Sequence, residues 1–178
     1  MTRKSSVLKH RNLPLLMLQA REHVIAYFRP ILNAHGITEQ QWRIVRLLLD
    51  AGPLEPREIG ELCRLSSPSL AGVLARMEEL DYVKRRRFEI DQRRVRVSLA
   101  PRSRALAKRM APQIDATYRY IETLIGTEFS ARLHETLDDL IEVLAAHGHR
   151  SSARDPSARD AANILRKNIA GTDSPPKS

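Results

Sequence analysis

Seven basic side chains crowd residues 82–96: Lys84, Arg85, Arg86, Arg87, Arg93, Arg94 and Arg96. Only Glu89 and Asp91 oppose them. Guanidinium groups at this density suit a rod of phosphate charge, whose condensed counter-ions they displace on binding. The segment reads as two short strands, 82–88 and 94–99, around a polar turn. In the second, Val95, Val97 and Leu99 alternate with Arg94, Arg96 and Ser98, so one face can close on a core while the arginines face out. At the turn, Arg93 could enter a minor groove, narrow A·T-rich grooves being favoured, with Asp91 holding a neighbouring arginine in place. A solvated charged hairpin is the plainer alternative.

An amphipathic helix over 66–81 precedes this ribbon. Ser66 or Ser67 can cap it, and Pro68 sits in its first turn. Leu70, Val73, Leu74, Met77 and Leu80 form its apolar stripe. Ser69, Gly72 and Arg76 then share another face at i, i+3 and i+7. Small residues near the start of a recognition helix let its backbone approach DNA. Arg76 could contact a guanine edge or a phosphate; the competing reading makes Gly72 a packing point and Arg76 a solvated charge.

The elements that must hold these residues follow from periodicity and caps. Helix 1 starts after Asn12 and runs to about Ala34, with Leu13, Leu16, Ala20, Val24, Tyr27 and Ile31 as its apolar positions and Pro30 loosening its last turn. Thr38 and Gln41 have capping-box spacing and open helix 2, whose expected buried side is Trp42, Val45, Leu48 and Leu49. Helix 3 begins at Glu55-Pro56 and buries Ile59, Leu62 and Cys63. A tight turn through Arg64-Leu65 joins it to helix 4, which makes a helix-turn-helix with the ribbon, Arg86 included, as its wing. Helix 5 opens at Pro101 and reaches about Ile125, with a possible bend at Pro112. Helix 6 is expected over 130–146, burying Leu133, Leu137, Leu140, Ile141 and Leu144. The fold class is therefore mainly α, a winged helix-turn-helix with a two-stranded β wing. Residues 1–11 read as a basic arm, 12–148 as the folded domain, and 149–178 as a low-complexity, mostly disordered tail.

Size and charge set the class of partner. A chain of 178 residues can bury one good core, and its net charge of +9 points to a polyanion. No secretory signal is recognisable, and no apolar run approaches the roughly 20 residues that span a bilayer. The single Cys63 excludes an intramolecular disulfide and fits the cytoplasm. On a short packed helix it reads as a buried structural thiol rather than a sensor. Aromatic residues are too few for a single-strand stacking platform. His147-Gly148-His149 lacks a third ligand type, so no metal or other cofactor is expected. With no glycine-rich phosphate loop and no nucleophile–base pair, an enzyme is not expected.

These residues resemble the MarR family of winged-helix transcription regulators over roughly 13–146. The carrying segments are Arg76-Met77-Glu78-Glu79-Leu80, Tyr82-Val83 and Asp91-Gln92-Arg93-Arg94. Leu18-Gln19-Ala20-Arg21-Glu22, Phe28-Arg29-Pro30 and 38–46 are similar to its homoprotocatechuate-degradation operon repressor subgroup. The resemblance implies a homodimer interlocked through its N- and C-terminal helices, reading successive major grooves of a pseudo-palindrome. It also implies a small aromatic acid effector of the homoprotocatechuate, hydroxyphenylacetate or hydroxynicotinate class.

For that acid, Arg21 is the first candidate. It lies with Met17, Val24 and Phe28 on a largely apolar strip, where a guanidinium can pair bidentately with a carboxylate while the strip covers a ring. The alternative is an arginine snorkelling to solvent or paired with an acid. Trp42 offers an aromatic wall or is ordinary core. Arg43 and Arg46 face Glu39 and Asp50, where intrahelical pairs are the simpler account. The subgroup resemblance adds Arg43 as a second ligand residue. His10 and His23 could supply polar contacts near Arg21. The function expected is a DNA-binding repressor of aromatic-catabolic or related genes, released by such an acid. The alternative is an architectural nucleic-acid-binding protein without an effector.

Overall fold

A computed structural model describes residues 10–87 and 95–148. Within them lie α1 (Leu13–Ala34), α2 (Glu39–Ala51), α3 (Pro56–Cys63), α4 (Ser67–Glu79), β1 (Val83–Arg87), β2 (Val95–Leu99), α5 (Pro101–Ile125) and α6 (Thr127–Gly148). The architecture is mainly α with a two-stranded antiparallel wing, the fold class the residues predict.

Local chemistry sets most boundaries. Asn12 Oδ1 accepts the Leu15 amide at 3.0 Å and starts α1. Its end is fixed by Gly36 at φ +64° and by the Ile37 amide donating back to the Leu32 carbonyl at 3.1 Å. Thr38 and Gln41 exchange both bonds of the capping box, at 2.9 and 3.2 Å. Both α1 and α5 remain single helices through Pro30 and Pro112.

Helix α2 sits at the centre, packed against α1, α3, α4, α5 and β2. This is why Ile44 and Leu47 are buried beside the expected Val45 and Leu48, while Trp42 and Leu49 are only partly so. A helix covered on two sides does not show a single stripe. Ile59, Cys63, Leu70, Leu74, Met77, Val83, Val97 and Met110 complete the core beneath the helix-turn-helix and wing.

The wing pairs Val83 with Leu99 through to Arg87 with Val95. The first strand begins at Val83, so Tyr82 lies just before it. The expected alternation holds: Val97 and Leu99 are buried, Val95 partly, and Arg96 is exposed. Two braces escaped the sequence reading. Leu54 exchanges backbone bonds with Val97, at 3.1 and 2.8 Å, tying the α2–α3 connection to the wing. Buried Ser103 Oγ donates to the Tyr82 carbonyl at 2.7 Å and locks the start of α5 to the wing base.

Three expectations are corrected. Helix α4 stops at Glu79, because Leu80 caps it and Asp81 turns left-handed at φ +53°. Helix α6 begins at Thr127 rather than 130, immediately after Gly126 at φ +87°. The apolar positions expected to be buried on α6 are not in the protomer's core, and most of the apolar face of α1 is likewise outside it. Leu13, Leu16, Val24, Tyr27, Leu133, Ile141 and Leu144 are exposed, and Leu137 and Leu140 are half-buried. On α1 the core is reached instead by Phe28 and Leu32. Helical periodicity identified the apolar face correctly but cannot say which partner covers it.

Candidate nucleic-acid interface

The reading head presents α4 and the wing. Ser66, Ser67, Ser69, Gly72 and Arg76 are all exposed along the N-terminal half and outer face of α4. Neither early serine caps the helix as expected. Ser66 occupies the cap position, but its Oγ donates to Ser69 Oγ at 3.0 Å instead of accepting a backbone amide. A Cβ built on Gly72 meets nothing within 4 Å, so close packing does not require this glycine. The absence of a side chain leaves the helix backbone open to approach from outside.

On the wing, Arg86 is exposed and stands opposite Arg96 in the ladder, placing two positive charges side by side on the outer face. Arg85 turns back to Glu78 at 3.1 Å and fastens the ribbon to α4. Asp91, Arg93 and Arg94, the expected wing-tip contacts, lie outside the described residues. So do most of the basic arm and the 149–178 tail.

A second cluster joins α1 to α2 behind the reading head. Glu39, in the first turn of α2, receives the Arg21 guanidinium from α1 and Arg43 Nη2 at 3.0 Å, with Arg29 Nη2 at 3.9 Å. Arg21 Nη1 also donates to Glu22 at 2.6 Å, and Arg29 pairs with the same carboxylate. The Arg29 hydrogen bond, helped by the charges of Arg29 and Arg21, holds the Glu22 carboxyl below its ordinary range. Arg43 Nη1 reaches on to the Cys63 carbonyl at 2.7 Å, the last residue of α3. The cluster thus connects the long N-terminal helix to the turn that launches α4.

The structure brings together only some of the proposed ligand residues. Arg21 and Arg43 meet at Glu39, and half-buried Trp42 borders the core one residue before Arg43. Arg46 pairs with Asp50 at 3.7 Å, the intrahelical account. The strip beside Arg21 is divided: Met17 and Val24 are exposed, whereas Phe28 is buried against Tyr118 with ring centroids 4.9 Å apart. His10 and His23 are exposed and take no part in the ion cluster. Glu39 is the residue that sequence reasoning undervalued. Its spacing to Arg43 was visible, but its meeting with Arg21 depends on how α1 crosses α2.

Cys63 is 2% exposed. Burial pushes its thiol up to about 11, against the opposing charge of Arg43. An exposed thiol ionises near 9.0, so the unfolded chain loses this proton first. The resulting stability is complete below that value and declines as pH rises from about 9 toward 11. Urea titrations of wild type and Cys63→Ala at about pH 8 and about pH 10.5 should show their stability difference shrinking by roughly 2 kcal/mol at most. A difference independent of pH would mean the thiol is not held neutral.

Among the described residues no group of three or more His, Cys, Asp or Glu side chains could hold a metal ion. None of the helices among them is long and apolar enough to cross a membrane.

Residues 35–94, from the end of α1 to the wing, match the profile of the MarR family. The homoprotocatechuate degradative operon repressor of Escherichia coli is 39% identical over 140 residues, which cover 79% of this chain and 92% of that protein. The chain belongs to the MarR family. This MarR-family transcriptional regulator is also 36% identical over 135 residues to the HTH-type transcriptional regulator FarR of Neisseria gonorrhoeae, covering 76% of this chain and 92% of FarR. The crystal structure of NadR in complex with 4-hydroxyphenylacetate matches the regulator with a TM-score of 0.69 and 36% identity, over 76% of this chain and 96% of that one.

Proposed function

We propose that this chain is a homodimeric repressor that leaves its operator when a small aromatic acid, of the hydroxyphenylacetate or homoprotocatechuate class, binds beside Arg21 and Arg43. The observation that carries the reading is the shared carboxylate of Glu39. It occupies the guanidinium groups of Arg21 and Arg43 while Arg43 holds the end of α3. An effector carboxylate can take over one of these arginines, and the exchanged ion pair then shifts α1 relative to the launch of α4.

Exchanging one carboxylate for another is close to energy-neutral, so the aromatic ring must supply the preference. Moving a 99:1 population to 1:99 needs about 5.5 kcal/mol of differential binding. Partial burial of a ring against Trp42 and neighbouring apolar side chains can contribute part of it. The relatives support the same class: one is named for homoprotocatechuate degradation, and the other was crystallised with 4-hydroxyphenylacetate.

The exposed apolar faces of α1 and α6 support the dimer. Leu13, Leu16, Leu133, Ile141, Val143 and Leu144 are large apolar side chains left exposed on these two helices, and clustered apolar exposure marks an interaction surface. A second copy, through a two-fold axis, covers them and sets two α4 helices about one DNA turn apart.

Calorimetric titration with 4-hydroxyphenylacetate, homoprotocatechuate and the carboxylate-free analogue 4-ethylphenol tests the effector. Wild type should bind the acids and not the analogue. Arg21→Ala should lose at least about tenfold in acid affinity, the scale of a charge-assisted bidentate pair. Equal affinity of both proteins for the acids would remove Arg21 from the site.

A further inference from the structure

Arg64 occupies the turn between α3 and α4 in the left-handed region, at φ 52° and ψ 49°. Asp81 is the one other non-glycine residue at positive φ among the described residues, and aspartate tolerates that region through its short polar side chain. Arginine has no such relief. Glycine adopts this conformation without a Cβ clash and is the usual residue directly after a helix.

The turn itself is fixed by packing. The Arg64 amide donates to the Glu61 carbonyl and the Leu65 amide to the Gly60 carbonyl, at 3.4 and 2.9 Å. A Cβ on Gly60 would stand 3.3 Å from the Leu65 carbonyl oxygen and 3.4 Å from Leu70 Cδ2, so α3, turn and α4 are pressed together. The left-handed step is therefore imposed by the helix-turn-helix and not by the arginine. An exposed, unfavourable side chain kept at a strained backbone position points to use.

Its surroundings identify the use. Arg64 lines an open concave surface with Arg57, Glu61, Ser66, Ser67 and Arg85, three residues before Ser67 opens α4; Arg57 pairs with Glu61 and Arg85 with Glu78, both at 3.1 Å. With α4 in a major groove, the helix before it crosses the backbone and the connecting turn lies at the groove's edge. A guanidinium there faces phosphate and not base edges.

We propose that Arg64 is a phosphate-clamping residue, which fixes the register of α4 on the DNA independently of sequence. The proposal rests on the DNA-binding reading above. It assigns the strained turn a positioning role distinct from the outer face of α4 and the wing.

Arg64→Gly separates the charge from the turn, because glycine accepts the left-handed conformation. Its thermal midpoint should equal or exceed that of wild type. Its affinity should fall by a similar factor, on the order of tenfold, for operator and for random duplex. The slope of log affinity against log salt should become shallower by about 0.9 for each protomer. Arg64→Lys, which keeps the charge, should restore most of that slope. An unchanged affinity and slope in Arg64→Gly would overturn the assignment. A loss confined to one operator sequence at unchanged slope would overturn it too, indicating a base contact. Specific, salt-steep binding by wild type in the same experiment establishes the DNA-binding reading separately, so the two can fail independently.

Discussion

Replacing Ile141 and Leu144 together with aspartate should dissolve the proposed homodimer and lower affinity for its proposed operator by about 100-fold or more. The two side chains are 56% and 60% exposed on α6, so charge placed there costs the isolated protomer little. In a dimer the same positions are covered, and two buried carboxylates per protomer without partners cannot be tolerated. DNA affinity falls because the second recognition helix then arrives as an independent molecule. The avidity lost when two linked half-site contacts become separate is commonly about 10²–10⁴. Sedimentation velocity gives the oligomeric state, and circular dichroism shows that helicity persists. A double variant that stays dimeric would place the interface elsewhere.

Ile44→Ala should have the largest effect on stability. The residue is 0% exposed at the centre of α2, the helix that touches the other helices of the reading head, α1, α5 and β2. Removing the branched side chain loses its transfer free energy and leaves a cavity that packed neighbours on several sides cannot fill, at a cost of about 2–5 kcal/mol. For a chain of this size that lowers the thermal midpoint by roughly 5–15 °C. Differential scanning fluorimetry checks it. A change below about 1 kcal/mol would mean that α2 is not the central packing element.

The helices were legible because their ends carry chemistry. Asn12, the Thr38–Gln41 box, Gly36 and Pro101 each satisfy or replace backbone groups that a helix end leaves open, and each appears in the sequence where the boundary falls. The wing was legible from the alternation of Val95, Val97 and Leu99 with polar neighbours. What escaped depends on contacts between distant segments. The Leu54–Val97 bridge pairs backbone atoms and leaves no side-chain signature. Ser103 looks like any helix-opening serine until the Tyr82 carbonyl is seen above it. The apolar faces of α1 and α6 show periodicity whether the partner is the core or another copy, and the protomer separates the two only through exposure.

The candidate site was partly legible for the same reason. Arg21 stood out as an arginine beside apolar positions and Arg43 through the subgroup resemblance, with Glu39 as its intrahelical partner, but that Arg21 shares this carboxylate could be found only once α1 crossed α2. The meeting changes their meaning. An arginine already holding an internal carboxylate is not an empty clamp, so under the proposed function effector binding would compete with the α1–α2 contact. The internal pairs are largely solvent-accessible and individually weak, typically about 0–1 kcal/mol, which leaves the exchange within reach of a small ligand.

One measurement addresses the central claim most directly. Fluorescence anisotropy would follow the purified protein binding labelled duplex from upstream of its own gene, at near-physiological salt with excess competitor DNA. 4-Hydroxyphenylacetate and homoprotocatechuate would then be titrated into the complex. The account predicts a specific complex at least about 1,000-fold tighter than competitor, released by one of these acids in a saturable way. Binding no tighter than competitor and indifferent to both acids would contradict it, and would leave a winged-helix protein that coats DNA without a signal to release it.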